Sequence, residues 1–431
     1  MRNRFKKSLV AMVLSGLVTF GTATVWAADA VQLTLDESIN MALTNNQSIK
    51  VALSDKDAAN WKVKEAKGNS NFNFSARHSD ARYRSYNQYK TAYSIGDLYS
   101  NSITATLPIY TGGKLEGSIK QAEVGYEISD LGLANTMQQV KMDATVAYYS
   151  ILQATNLVQV SQQSVDSLNE HLKNVMAQYS VGTVAKSDVL RSEVELANAE
   201  QTLIKAQNSF ELAVSNFNNI VGLPLETEVS VKDELKYEKY DKTLEESISY
   251  AKEQRPDGIQ AQKAIDVAKA GVKVAESGNL PQIAFQGTKG WSNDEFPGSH
   301  YPTWQVALVT DINVFDGNVT KAKVRQAEAG MDKSLEQAKQ KQDGIQLEVR
   351  QAYLNMLEAE KRIKTSKVTV DKGQEDFKIA QVRYSAGVGT NLDVIDAQLA
   401  LTQAKTNYIQ AMYDYNTSRA KLDKAMGIEV K

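Results

Sequence analysis

The sequence predicts an α+β membrane protein, a tandem-repeat protomer in which long coiled-coil helices are combined with two β-hairpins. Three observations carry this expectation. Segments recur 205 positions apart, as Gln121-Ala122-Glu123 does at Gln326-Ala327-Glu328. Apolar residues repeat every 3.5 positions along rods too long for a globular domain. Four segments alternate apolar and polar residues over about the length of a tilted transmembrane strand.

The composition bounds the chemistry. The 431 residues include 49 basic and 51 acidic ones, and a chain so close to neutrality gives no support to bulk nucleic-acid binding. Cysteine is absent, which excludes disulfide frameworks, thiolate metal sites, cysteine nucleophiles and a lipid-modified N-terminal cysteine. The three histidines, His78, His171 and His300, lie far apart in sequence, so no histidine-built metal or catalytic site is expected, and no cofactor. No nucleophile–base pattern points to an enzyme. Only 6 prolines leave room for long uninterrupted helices.

Residues 1–28 have the layout of a cleaved secretory signal peptide. Arg2, Arg4, Lys6 and Lys7 precede an apolar run from Leu9 to Val18, and small residues follow. No later apolar stretch is long enough to span a bilayer as a helix, so membrane entry would require a β-barrel.

The first repeat, residues 31–222, is expected to open with a helix over Asp36–Gly68, about 50 Å long if it is continuous. A hairpin follows. In it Phe72, Phe74 and Ala76 alternate with polar residues, as do Ile103, Ala105, Leu107 and Ile109. Gly112 to Ser118 holds a glycine-rich helix-start turn at Gly112 and Gly113, but Ser118 follows its last glycine, Gly117, where a phosphate loop carries lysine. A helix of roughly 64 residues, or about 95 Å, then spans Glu116–Tyr179. Its apolar positions step alternately by four and three, from Leu133 through Met137, Val140, Ala144 and Ala147 to Tyr179. This 3.5 period implies a left-handed supercoil. Gly182 suits the left-handed end of that helix, and Asp188 opens the next helix, over Ser187–Val221.

Residues 223–243 form a charged connector, and residues 244–431 repeat the plan. Ile283 and Phe285 mark one strand. Trp304, Val306, Leu308, Ile312 and Val314 mark the other, with Gly317 at the helix-start turn. Tyr83, Tyr86, Tyr93, Tyr99, Trp291, Phe296, Tyr301 and Trp304 crowd the loop ends, as an interfacial girdle would. Four strands cannot close a barrel, because the smallest bacterial barrels have about eight. Several chains must therefore share one, and both a dimer and a trimer meet that need.

The tandem repeat is joined by specific segments: Leu107-Pro108-Ile109-Tyr110-Thr111-Gly112-Gly113, the tips Gln178–Thr183 and Arg383–Gly387, and Leu392-Asp393-Val394-Ile395-Asp396-Ala397. In these features the chain resembles TolC-type outer-membrane efflux proteins, the outer membrane factor family, over essentially its whole exported length. The resemblance implies a homotrimer with a shared twelve-stranded β-barrel in outer-membrane lipid and an α-barrel crossing the periplasm. It also implies partnership with a periplasmic adaptor and an inner-membrane pump of RND, ABC or MFS type. It places Asp393 and Asp396 at a periplasmic aperture, and Tyr384, Ser187 and Asp188 in the links that close it. The tip turns, Val181, Gly182, Thr183 and Ala386, Gly387, Val388, are expected to dock the adaptor. Asp393 and Asp396 share a helical face, so in a trimer they are expected to favour cations and to raise one another's pKa. Gly389 departs from the family, whose well-known members carry an arginine there, and Lys186 or Arg191 is the expected replacement. The function so implied is passive exit of small toxic compounds or proteins. The alternative, a structural coiled-coil spacer, has no use for lipid-length strands.

Overall fold

The computed structural model describes residues 31–430, so the expected signal peptide lies outside the described residues. The first half runs β1 (Val31–Leu33), α1 (Leu35–Asn45), α2 (Gln47–Gly68), β2 (Asn73–Tyr86), β3 (Tyr93–Tyr110), α3 (Lys114–Ser180) and α4 (Lys186–Val221). The connector holds β4 (Val229–Val231). The second half runs α5 (Leu244–Gln254), α6 (Pro256–Glu276), β5 (Gln282–Asn293), β6 (Tyr301–Asp311), α7 (Val319–Ser385) and α8 (Asn391–Met426). The long helices α3 and α7 have 67 residues each, and α4 and α8 have 36. At 1.5 Å per residue the long rods reach about 100 Å. Every boundary of α3 and α4 recurs 205 positions later in α7 and α8.

The first helical segment of each half is broken into two short helices. Asn46 ends α1 and caps α2 by accepting from the Ser48 N–H at 2.8 Å, while its amide donates to the Ile220 carbonyl at 2.9 Å. In the second half Pro256 starts α6, where a missing N–H costs nothing. Arg255 donates to the Ala425 carbonyl at 3.1 Å, 205 positions after Ile220. Gly222 and Gly427 take left-handed backbone (φ 80° and 73°) at the ends of α4 and α8. A Cβ on either would sit 2.8 Å from Asn45 or Arg255. Each short-helix pair is thus seated on the end of the last helix of its own half.

Two parallel sets of four helices result. The N-terminal part of α3 meets α2 through Lys67–Glu123 (2.8 Å) and meets α6 through Gln260, which donates to the Ile128 carbonyl at 2.7 Å. Its C-terminal part packs on α4 and α8, and Gln153 donates to Gln410 across the two halves at 2.7 Å. The heptad positions form the cores. Val140, Ala144, Ala147, Tyr148, Ile151 and Phe217 are buried in the first half, and Ile345, Val349, Met356, Tyr415 and Leu422 in the second. Each large side chain so buried contributes roughly 1.5–3 kcal/mol. The outward faces of α4 and α7 are uncovered among the described residues. Leu190, Val194, Ile204 and Leu212 on α4 are exposed, as are Leu347, Leu354, Val368 and Ile379 on α7.

The connector is pinned beside the rods. β1 pairs in parallel with β4, and the buried Tyr148 hydroxyl donates to the Asp233 carboxylate at 2.7 Å. The second sheet is wholly antiparallel, in the order β2-β3-β5-β6, which leaves β2 and β6 as unpaired edges.

Candidate channel gate and membrane face

The register separates two faces of the four-stranded sheet. One face carries the rows Leu107–Phe285–Leu308, Phe74–Ala105–Gly287–Val306 and Ala76–Ile103–Lys289–Trp304. Phe74, Ile103, Trp304, Val306 and Leu308 on it are 72%, 48%, 78%, 58% and 65% exposed, an apolar surface that water does not favour. The other face carries Asn73–Thr106–Gln286, Ser75–Thr104–Thr288–Gln305 and Arg77–Ser102–Gly290–Thr303. The Thr104 and Thr288 hydroxyls bond across it at 3.2 Å. This is the apolar-out, polar-in alternation of a transmembrane barrel.

Two expectations about the strands are corrected. Ile312 and Val314 lie beyond β6, with Val314 93% exposed, because the chain turns there toward Gly317 and Asn318, both at positive φ. The strands of the first hairpin have 14 and 18 residues instead of about ten. Tyr86 and Tyr93 pair twelve residues above the Phe74–Ala105 row, about 40 Å along the strand. That is beyond an apolar band about 25 Å tall, and Tyr83 falls on the polar face. Of the expected aromatic residues, Trp291 and Trp304 lie on the face and near the height of the apolar rows, and the first hairpin extends past them.

At the opposite end of the rods, two turns share one geometry. Gly182 and Gly387 have φ of 78° and 75°. Thr183 N–H donates to the Gln178 carbonyl and Val388 N–H to the Arg383 carbonyl, each at 3.0 Å, closing a Schellman motif after each long helix. Gly112, Gly113 and Gly317 take positive φ at the helix-start turns, and a Cβ on Gly112 would collide with Leu280 at 2.7 Å. The tip residues Val181 and Val388 are 74% and 68% exposed. Asp188 accepts from the Ala185 N–H at 3.3 Å. Asp393 caps α8 reciprocally with Thr390, accepting from its N–H at 2.9 Å while the Thr390 hydroxyl accepts from the Asp393 N–H at 3.2 Å.

These contacts change the expected gate chemistry. The Thr390 backbone N–H, then its hydroxyl, hold the Asp393 carboxyl below the ordinary carboxylate range. Within one copy the cap thus stabilises the charged form. Asp396 is exposed and makes no side-chain hydrogen bond among the described residues. Tyr384 is buried, but its hydroxyl has no hydrogen-bond partner among the described residues. Burial, and then the charge of Asp188, raise its pKa. Ser187 is exposed and its side chain forms no hydrogen bond among the described residues, and Lys186 and Arg191 form no ion pair there. Gly389 is explained by space, since a Cβ would lie 3.0 Å from the Tyr384 nitrogen and 3.1 Å from Arg383 atoms.

The residues that do tie the tip together are ones the sequence left unassigned. His171 Nε2 bonds Asn391 Oδ1 at 2.6 Å, Ser192 donates to the same oxygen at 3.2 Å, and Asn391 Nδ2 donates to the Asp188 carbonyl at 3.0 Å. His171 and Asn391 are 220 positions apart, and no local pattern links them.

Comparison with known proteins agrees with this architecture. The family described as outer membrane efflux protein matches residues 38–223 and 247–428. The chain is 22% identical to outer membrane protein TolC of Escherichia coli (strain K12), covering 96% of this chain and 85% of that protein. It is 23% identical to the alkaline protease secretion protein AprF of Pseudomonas aeruginosa, covering 93% and 85%. Among solved structures, the Campylobacter jejuni CmeC outer membrane channel superimposes with a TM-score of 0.82 at 17% identity, covering 91% of this chain and 85% of that one. The chain belongs to the outer membrane efflux protein family, and it is a channel of the outer membrane.

Proposed function

We propose that three copies of this chain assemble into one duct, the exit of a tripartite export system that also contains a periplasmic adaptor and an inner-membrane pump. The observation that carries the reading is the four-stranded sheet with two unpaired edges, one apolar face and one face of Ser, Thr and Gln. Unpaired backbone groups cannot face lipid, so β6 of one copy pairs with β2 of the next. Three copies supply twelve strands, and the exposed apolar residues of α4 and α7 become helix contacts between copies. The two repeats, residues 31–222 and 244–431, are then six quasi-equivalent sectors around one axis, with the 223–243 connectors as a collar outside.

In this reading transport is passive. The polar lumen presents mostly small hydroxyl and amide side chains, with Arg77 among them, and cargo is selected by the pump. The relative named for alkaline protease secretion favours including proteins among the cargoes, beside small toxic compounds. Asp393 and Asp396 ring the periplasmic aperture, Tyr384, Ser187 and Asp188 lie in the tip that closes it, and the exposed turns at Val181–Thr183 and Ala386–Val388 meet the adaptor. Chemical cross-linking of the detergent-folded protein tests the assembly. The ladder should stop at three copies, whereas a ladder ending at two, or an unlinked monomer, would refute it.

A further inference from the structure

His171 on α3, Ser192 on α4, Tyr384 on α7 and Asn391 on α8 meet just above the tip turns, and all four are buried. Each of the four helices that reach the tip contributes one of them. The Asn391 amide sets the orientation. Its nitrogen donates to the Asp188 carbonyl, so its oxygen faces the other way and accepts from Ser192 and from His171 Nε2. The neutral imidazole therefore carries its hydrogen on Nε2, and Nδ1 has no hydrogen-bond partner among the described residues. The ring stands edge-on to Tyr384 with centroids 5.0 Å apart.

No carboxylate touches the imidazole among the described residues, although the Asp188 charge is felt at the Tyr384 hydroxyl. From α4, Asp188 reaches the cluster through its carbonyl oxygen, while its side chain accepts from Ala185. From α7 the facing group is Tyr384, whose neighbour Arg383 is exposed and donates to the Val388 carbonyl. From α8 it is the neutral Asn391. On α3 itself, Glu170 and Lys173 are exposed. Burial holds the imidazole's pKa below its ordinary value, against the opposing bond to Asn391.

The geometry points to the His171–Asn391 pair as an acid-release latch of the periplasmic tip. Neutral His171 ties the first helical hairpin to the second, and its protonation frees them. The inference rests on the reading of the tip as the gate. A proton on Nδ1 puts a charge on a ring only 6% exposed and touched by no counter-ion among the described residues, a desolvation cost that is relieved when the helices part and water enters. The closed tip keeps its full stability above about pH 6.5, the free imidazole's value, and loses it as pH falls through the lower closed-state value. Each unit of difference between the two states shifts the open-to-closed ratio about tenfold per protomer.

The test is the opening frequency of the full-length channel in planar bilayers at pH 7.5 and pH 5. The unsubstituted channel should open about tenfold more often at pH 5. His171→Gln keeps an amide donor toward Asn391 but cannot titrate, and should lose the pH response. Asn391→Asp gives the imidazolium a counter-charge and should reverse the sign, opening less at pH 5. An unsubstituted channel that ignores pH, or a His171→Gln channel that keeps the response, overturns the latch. Asn391→Ala separates the two readings because it cuts the tie at any pH. Frequent opening of Asn391→Ala at pH 7.5 alongside a pH-responsive His171→Gln channel would sink the latch alone. An Asn391→Ala channel as closed as the unsubstituted one would sink the tip as the gate.

Discussion

Arg255→Ala is expected to loosen the joint between α5 and α6. The Arg255 side chain is 4% exposed. Its Nε and Nη2 hold the Asp257 carboxylate at 2.8 and 3.0 Å, Nη2 reaches Glu348 at 2.5 Å, and Nη1 donates to the Ala425 carbonyl at 3.1 Å. Without the guanidinium, Asp257, 11% exposed, retains only Lys341 at 2.8 Å. Glu348, 41% exposed, keeps Lys424 at 3.1 Å and has access to water. The penalty therefore falls on Asp257 and on the carbonyl of Ala425. Breaking a buried pair costs about 3–5 kcal/mol, and the surviving lysine places this case near the lower end, about 3 kcal/mol. That corresponds to at least a hundredfold in a local opening equilibrium, at about 1.4 kcal/mol per tenfold. Hydrogen exchange reads it directly. The amides of Gly258 and Ile259, bonded to the Arg255 carbonyl at 3.1 and 3.2 Å, should exchange about a hundredfold faster. Glu348→Gln should accelerate them about tenfold at most, and the tip amides of Gly182 and Gly387 should not respond. Rates within threefold of the unsubstituted protein in Arg255→Ala would refute the assignment of this joint to the ion cluster.

Three further outcomes are expected. Burial pushes the Asp257 and Glu348 carboxyls up, but the bonds from Arg255 with Lys341 and Lys424 outweigh it and hold both below the ordinary range. Their contribution to stability is then complete above about pH 5 and is lost as pH falls through the depressed folded values. Helix melting followed by circular dichroism should drop in midpoint below about pH 4, and a midpoint that rises on acidification contradicts the sign. At the tip, Asp393→Ala removes a cap worth about 1 kcal/mol as well as a charge, whereas Asp396→Ala removes charge alone. Reversal potentials should move toward lower cation preference in both, but only Asp393→Ala should speed exchange at the start of α8. Replacing Val181–Ala185 by a flexible linker should abolish cross-linking to the adaptor and leave the three-copy ladder intact, and persistent adaptor cross-links would remove these turns from the docking surface.

What was legible in the sequence was what repeats. The 3.5 period from Leu133 to Tyr179 and its echo 205 positions on set the lengths of α3 and α7 to within a few residues, because a rod contacts its neighbour at every turn. The apolar rows through Phe74, Ile103, Phe285 and Val306 were readable for the same reason. The upper part of β2, His78 to Arg84, was not, because above the lipid band neither face needs to be apolar and the alternation disappears. The break at Asn46 has no local signal, since its partner Ile220 lies 174 residues away. Charged residues such as Glu348 and Lys341 were indistinguishable from solvated helix faces until the fold brought Arg255 to them. His171 was discounted because the three histidines are scattered, although its partner is an asparagine on another helix.

The most direct test of the central claim is single-channel recording of the detergent-folded protein, with its oligomeric mass measured on the same preparation. The account predicts a trimer that inserts and opens in small cation-preferring steps, and conducts more once the tip tie is cut by Asn391→Ala. A soluble oligomer that never inserts, or a trimer that stays silent even with Asn391→Ala, would contradict it.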